Sequence, residues 1–424
     1  MTFKKVNNWL HLWLGLGSGI IVFVVCITGC IWVFNEEITA LLEPKTVIEK
    51  QNKPVLLPSA LSDIAKKQYP DKKVSYVTYQ QGRSVNIGVG GRRGGSTFKV
   101  NPYTGEIISK KDRKEGEVDF FRFILNGHRF LWMPVEIGRP VVNYATLIFV
   151  VLLITGLIWW YPKKWNKRTK DKSFKIKWNG SFKRVNLDLH NVLGFYSLLF
   201  ALAIAMTGAV YGIKWYSESL YWVTSGGQSL GAYSRFESDS LQANKFYTPQ
   251  QAIDKAFLFA MKENPKAEGF YYSFPDTAKA KSIISIYVYP TAGQFYNNKS
   301  YQFDQHTLKQ LKGNSPVYDV DYAEAGFGSK LRKINYDIHV GSILGFPGKV
   351  LAFLASLIGA SLPITGFLVW WGRKYGKNKK VKMPKQEEQL QAVTVAKNFV
   401  PKNLSKKFTL QEELPTLQST TNKN

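Results

Sequence analysis

Cysteine is almost missing from this chain of 424 residues. The two that exist, Cys26 and Cys30, both lie inside one apolar run. That excludes a disulfide framework and a thiolate metal site in the polar regions. Acid is scarce as well: 30 Asp and Glu face 57 Lys and Arg, a formal net charge of +27. Such an excess could signal a nucleic-acid partner, but the charges sit beside long apolar runs, where loops on the cytoplasmic side of a membrane are basic. No nucleic-acid partner is therefore expected. Histidine is rarer still, with five in the whole chain. The glycine-rich stretch Gly88-Val-Gly-Gly-Arg-Arg-Gly-Gly95 lacks the dinucleotide spacing and precedes no helical pattern, so it reads as a loop between strands. No flavin or nicotinamide site is expected anywhere in the chain.

Four runs contain no charged residue: residues 12–34, 141–161, 192–213 and 350–371. Each suffices to span about 30 Å of hydrocarbon as a helix. A transporter would be expected to bury charge within such spans. The first run is too long for a cleaved signal peptide and has no clear cleavage site. Ile27-Thr28-Gly29-Cys30 looks like a lipoprotein signal, yet Thr28-Gly29 also belongs to a repeat. Residues 1–11, the loop 162–191 and the tail 372–424 carry the dense Lys and Arg. The asymmetry places both termini in the cytoplasm and puts 35–140 and 214–349 outside. The tail from about residue 377 is polar and poor in aromatics, which predicts disorder.

Each apolar run holds one Thr-Gly pair: Thr28-Gly29, Thr155-Gly156, Thr207-Gly208 and Thr365-Gly366. His11 and His190 stand 17 residues before the first and third pairs, each followed four residues later by a glycine, Gly15 and Gly194. His128 precedes Thr155 by 27 residues, and His339 precedes Thr365 by 26. The second and fourth runs both end in Trp-Trp. The chain thus reads as a tandem duplication of helix, outside region, helix. Topology places His11 and His190 at the cytoplasmic face and His128 and His339 at the outer face. Helix length forbids mixed pairing, since about 20 helical residues span about 30 Å. Two imidazoles facing each other suit the axial positions of haem iron, so all four histidines are candidate ligands of two haems. Zinc is less suited, because no third ligand recurs beside them. The glycines would let a macrocycle or a neighbouring helix approach, and each threonine could bond its own helix carbonyl.

Outside the membrane, residues 58–112 read as a short helix followed by strands, and Thr248 opens a second such region with strands at 283–289 and from 301. His306 falls in a turn and is not counted as a ligand.

The His11…Gly15…Thr28-Gly29 and His190…Gly194…Thr207-Gly208 helices, the Asn101-Pro-Tyr-Thr-Gly-Glu106 turn and the Trp-Trp helix ends resemble the PepSY-associated transmembrane family. That family includes iron-regulated membrane proteins and siderophore ferric reductases. The resemblance covers residue 5 to about 375. It implies an α-helical bacterial inner-membrane protein with four transmembrane helices and two α+β PepSY-like extracytoplasmic domains. It also implies two b-type haems, on this chain ligated by His11, His128, His190 and His339. The lipid bilayer is one partner. A ferric siderophore or other ferric chelate would be the electron acceptor, and a quinol or separate protein the donor. Asp304-Gln-His-Thr-Leu308 departs from the family turn. A non-redox protein that binds peptides or regulates a protease is the other reading open to these residues.

Overall fold

The computed structural model describes residues 2–43, 46–90, 95–112, 117–242, 246–276 and 278–375. The tail predicted to be disordered, and half of the glycine-rich stretch 88–95, lie outside them. Chain order begins with α1 (Phe3–Val33), α2 (Asn35–Leu42), α3 (Pro58–Gln68), β1 (Val74–Gln80), β2 (Val85–Val89), β3 (Ser96–Val100), β4 (Ile107–Lys111), α4 (Phe120–Phe130) and α5 (Val135–Trp160). It continues through α6 (Lys167–Phe174), α7 (Phe182–Asp188), α8 (Gly194–Gly212), α9 (Lys214–Thr224), α10 (Pro249–Glu263), β5 (Gly269–Ser273), β6 (Ile283–Tyr289), β7 (Lys299–Asp304), β8 (Gln310–Leu311), α11 (Phe327–His339) and α12 (Gly345–Lys374).

Four helical spans are long and apolar enough to cross a membrane: Phe3–Val33, Val135–Trp160, Phe182–Gly212 and Ser342–Lys374. All four extend past the apolar runs of the sequence. The reason is amphipathic ends: Asn7 and Asn186 lie in helical turns that precede the charge-free stretches, and both are buried. The third span is α7 and α8 joined by a π-helical turn, Leu189–Leu193. Small side chains let the spans pack closely, as they do in apolar solvent. Ser18 and Gly19 on α1, Ala201, Ala205 and Ala209 on α8, and Ala352, Ala355 and Gly359 on α12 are all buried. A Cβ at Gly19 would lie 3.2 Å from Pro363 Cβ, so α1 and α12 nearly touch there.

The sequence implies two α+β domains beyond the membrane. Their strands form one antiparallel sheet instead, in the order β4-β3-β2-β1-β5-β6-β7-β8. The join is β1 against β5, with Thr78 opposite Tyr271. Strand order is symmetric about that join, so the two four-stranded halves meet edge to edge and cover each other's exposed edge. Residues of period two on one face bury Val77, Tyr79, Ile87, Phe98, Phe270, Tyr272, Ile284, Ile286 and Val288 beneath α3 and α10. Phe257 of α10 is fully buried, stacked on Tyr79 at 4.7 Å and edge-on to Phe270 and Tyr272. Thr248 and Gln251 form the capping box that starts α10.

The turns that end the two halves are equivalent despite their different sequences. Asn101 Oδ1 accepts from the Tyr103 and Thr104 amides, and Asp304 Oδ1 from those of His306 and Thr307. Leu308, at φ +60°, occupies the left-handed position that Gly105 fills at φ +75°. The departure of Asp304-Gln-His-Thr-Leu308 from the Tyr-Thr-Gly pattern therefore changes the residues and not the turn. His306 lies in this turn, as its sequence setting implies, and its Nε2 contacts the Ala280 carbonyl at 2.8 Å.

Phe257→Ala should remove the contact that ties α10 to both halves of the sheet, at a cost of about 3–5 kcal/mol. Differential scanning calorimetry should show a lower melting transition, with membrane insertion unchanged. An unaltered melt would show that the sheet core does not depend on Phe257.

Candidate functional site

The four helices bring the histidines together two by two. The ring centroids of His11 and His190 are 6.3 Å apart with planes at 86°. Those of His128 and His339 are 6.1 Å apart at 60°. The first pair lies at the end of the bundle that carries the basic loop, the second at the sheet end. His11 is on α1, and His190 is in the π-helical turn between α7 and α8; such turns recur at functional sites. His128 and His339 come from the last turns of the short helices α4 and α11.

Every imidazole rests on a Thr-Gly pair of the facing span in its own half. His11 Nδ1 is 2.9 Å from Thr155 Oγ1, and His190 Nδ1 is 2.9 Å from Thr365 Oγ1. His128 Nδ1 is 3.3 Å from Thr28 Oγ1, and His339 Nδ1 is 3.2 Å from Thr207 Oγ1. The next residue is glycine for a steric reason. A Cβ at Gly156, Gly366, Gly29 or Gly208 would stand 3.1–3.3 Å from the Cε1 of the same imidazole. The glycines of these pairs thus admit a histidine ring, where the sequence suggested a macrocycle or a helix. Gly15 and Gly194 are different: a Cβ there would meet only Leu152 at 3.7 Å and Leu362 at 3.4 Å. Gly194 lines a small pocket beside His11 and His190, whereas Gly15 simply faces α5.

These contacts fix the tautomer. Each threonine hydroxyl donates to its own helix: Thr155 to the Val151 carbonyl at 2.9 Å, Thr365 to Ser361 at 2.9 Å, Thr28 to Val24 at 2.7 Å and Thr207 to Ala203 at 2.7 Å. With its proton so placed, the hydroxyl oxygen accepts from the imidazole. At the sheet end a carbonyl makes the assignment firmer, since it can only accept: His128 Nδ1 lies 2.9 Å from Val25 O and His339 Nδ1 3.0 Å from Ile204 O. All four neutral imidazoles therefore carry the proton on Nδ1 and leave Nε2 with a free lone pair, the state a metal requires.

Asparagine holds the cradle in place at three of the four sites. Asn7, Asn186 and Asn335 each stand four residues before a histidine. Their Nδ2 atoms donate to the carbonyls of Thr155, Thr365 and Thr207 at 3.1, 3.0 and 3.1 Å. Ile124 occupies the corresponding place before His128. This Asn-x-x-x-His spacing is legible in the sequence, but only once the histidines are aligned with one another.

The connections aim the outer rings. Leu131 and Trp132 both adopt left-handed backbone after α4. A Cβ at Gly138 would fall 2.0 Å from the Phe130 carbonyl, so only glycine lets α5 close against the end of α4. Gly341, at φ +79°, makes the matching turn after α11.

Two imidazoles bonded to opposite sides of one metal ion at about 2.0–2.1 Å would hold their centroids about 6.4 Å apart, taking zinc–imidazole lengths as the guide. Both pairs have that spacing. Among the described residues, no group of three His, Cys, Asp or Glu could hold a metal ion. The pairs thus offer two protein ligands each. Beside His128 and His339 lies a cavity of about 490 Å³, mostly apolar, walled by α1, α5 and α8, which falls in the usual size range for cofactor pockets.

The chain matches the family described as the PepSY-associated TM region over residues 8–373. It belongs to that family. No curated protein matches it. With its four membrane-length helices, the chain is a multi-pass membrane protein of the PepSY-associated class.

Nitrogen NMR of ¹⁵N-histidine-labelled, metal-free protein should show four Nδ1–H imidazoles and one Nε2–H imidazole. The last is His306, whose Nε2 faces a carbonyl. Gly156→Val should shift the His11 signals and leave those of His128 and His339 in place, while Gly15→Ala shifts none. A mixed tautomer population at His128 or His339 would contradict the cradle geometry.

Proposed function

We propose that this PepSY-associated protein is a di-haem electron-transfer protein of the bacterial inner membrane that reduces a ferric chelate, such as a ferric siderophore, on its outer side. One observation carries the reading: two pairs of half-buried imidazoles have ring centroids 6.3 and 6.1 Å apart, the spacing of two ligands on one metal ion, and a threonine hydroxyl or carbonyl holds each in the ligand tautomer. Structural histidines need no such matched set at both ends of a bundle. Each pair supplies two ligands only, so a six-coordinate iron would take its other four from a macrocycle. His11 and His190 would hold one b-type haem and His128 and His339 the other.

Haem, when bound, supplies one-electron redox chemistry. The chain's own residues set the conditions. The Nδ1 hydrogen bonds raise imidazole basicity and fix ring orientation. Thr28 lies 17 residues beyond His11 on α1, so the two sites are about 25 Å apart along the bundle. The apolar spans between them exclude water from the path. Electrons would enter at the basic end, from a quinol or a separate protein, and leave at the sheet end. The match of β1–β4 with β5–β8 across β1 and β5, and of the two cradle sets, supports descent by tandem duplication.

Orientation follows the basic loops: the termini and α6 face the cytoplasm, the sheet faces outward. Cysteines at Lys170 and Lys262, both exposed, test this with an impermeant thiol reagent. In intact spheroplasts Lys262→Cys should label and Lys170→Cys should not; the reverse pattern would overturn the orientation.

A pyridine haemochrome assay tests the central reading. Wild type should hold two haems per chain, with a reduced spectrum typical of bis-histidine ligation. His11→Ala or His190→Ala should remove one and keep the other, and His128→Ala or His339→Ala should remove the complementary one. Wild-type protein with no haem after expression in haem-replete cells would sink the redox reading in favour of the peptide-binding one.

A further inference from the structure

The cavity beside His128 and His339 has a charged edge that the imidazoles do not explain. Its walls are largely apolar, with Ile21, Val25, Leu125 and Phe149 among them, yet Arg129 and Arg139 also line it. Arg129 directly follows His128 at the end of α4, and Arg139 lies in the second turn of α5. Neither is in an ion pair among the described residues. The nearby charges are of the same sign: burial, then Arg139 and Arg122, lower the Arg129 pKa. Both arginines are exposed as well as lining the cavity, so two guanidinium groups with no carboxylate partner among the described residues stand where an anionic group of an occupant could reach them.

No Lys or Arg lines the opposite side of the cavity, where Arg332 lies behind the lining as a guanidinium 6.0 Å from the Tyr211 ring. Val340 follows His339 as Arg129 follows His128, and Val340 lines the same space. The two halves match in imidazole, threonine and glycine but differ here. An occupant with anionic groups on one edge and an apolar opposite edge would therefore settle in a single orientation.

We propose that Arg129 and Arg139 clamp the two carboxylate arms of the tetrapyrrole held between His128 and His339, and so set its orientation about the imidazole–imidazole axis. This rests on the di-haem reading above. The shared chemistry is a pair of oxyanions, which the phosphates of anionic lipid could also supply. Carboxylates are favoured because both arginines line the cavity that contains the imidazoles.

The test uses full-length protein purified from haem-deficient cells and titrated with haem or with haem dimethyl ester, whose carboxylates are blocked. Arg129→Met/Arg139→Met is compared with wild type. Binding at His11 and His190 reports that each protein is folded. The double variant should take up the first haem normally and bind the second at least about tenfold more weakly, as expected for loss of charge-assisted hydrogen bonds. Its outer midpoint potential should become more negative, because a nearby cation favours the reduced form. Wild type should bind the ester at the outer site with a similar loss, and the double variant should no longer distinguish haem from ester. If the variant holds both haems as tightly as wild type, or if wild type binds ester and haem equally, the clamp falls and the di-haem reading stands. Unchanged haem affinity with fewer phosphatidylglycerol molecules retained per chain would assign the arginines to lipid instead. Wild type that binds neither probe would bring down both readings together.

Discussion

An imidazole buried among apolar helices must place its N–H on an acceptor, because water is absent and an unmet donor costs several kcal/mol. In this protein that requirement is met four times by one device. A threonine turns its hydroxyl proton back onto its own helix and offers the oxygen to a histidine Nδ1. The glycine after it removes the side chain that would block the ring. Much of the membrane architecture serves this contact. The spans in each half must run antiparallel, so that the threonine near the end of one faces the histidine near the start of the other. They must also come close enough for a glycine Cα to touch an imidazole edge, which the small residues along α1, α8 and α12 permit. Within a half the device positions single rings; only the association of the two halves makes pairs. Neither half alone presents two facing lone pairs.

The sheet obeys a related constraint. A four-stranded half with β1 or β5 exposed would leave a row of free backbone donors and acceptors. Joining β1 to β5 closes both edges at once. The same association that pairs the histidines therefore also completes the sheet. The Phe257 cluster lies over the seam, stacking on Tyr79 of the first half and meeting Phe270 and Tyr272 of the second edge-on. Burial at the seam and pairing in the membrane are then two results of one packing event.

Much of this was legible in the sequence because it depends on period and length. Charge-free runs give the spans, and the positions of His11, His128, His190 and His339 relative to those runs give the pairs. His306 could be set aside because a turn motif surrounds it. Other features were not legible, since they depend on contacts between distant segments. Nothing in Val74–Gln80 or Gly269–Ser273 names the other as its partner, so the strands read as two domains when they form one sheet. The glycines at 29, 156, 208 and 366 show that a close approach occurs but not what approaches. Leu308 conceals a turn that Gly105 displays, because the Asp304 carboxylate organises the same backbone as the Asn101 amide. The Asn-x-x-x-His spacing was present in the letters at Asn7, Asn186 and Asn335. Its meaning depends on a carbonyl of another helix.

The departures from symmetry are informative in their own right. Three cradles have an asparagine on the threonine carbonyl, whereas the His128 cradle has Ile124 in that place. There the Val25 carbonyl, at 2.9 Å, is the closer acceptor, and Thr28 Oγ1 has withdrawn to 3.3 Å. The His339 site has nearly the same geometry, with the Ile204 carbonyl at 3.0 Å and Thr207 Oγ1 at 3.2 Å, and keeps Asn335, so the asparagine braces the threonine carbonyl and does not decide the tautomer. The same side of the same site carries Arg129 and Arg139. The first half has thus exchanged a neutral brace for positive charge at one of its two histidines, and the second half has not. Between two halves that match in imidazole, threonine and glycine, that difference gives the sheet-end cavity a direction that the imidazoles alone cannot supply.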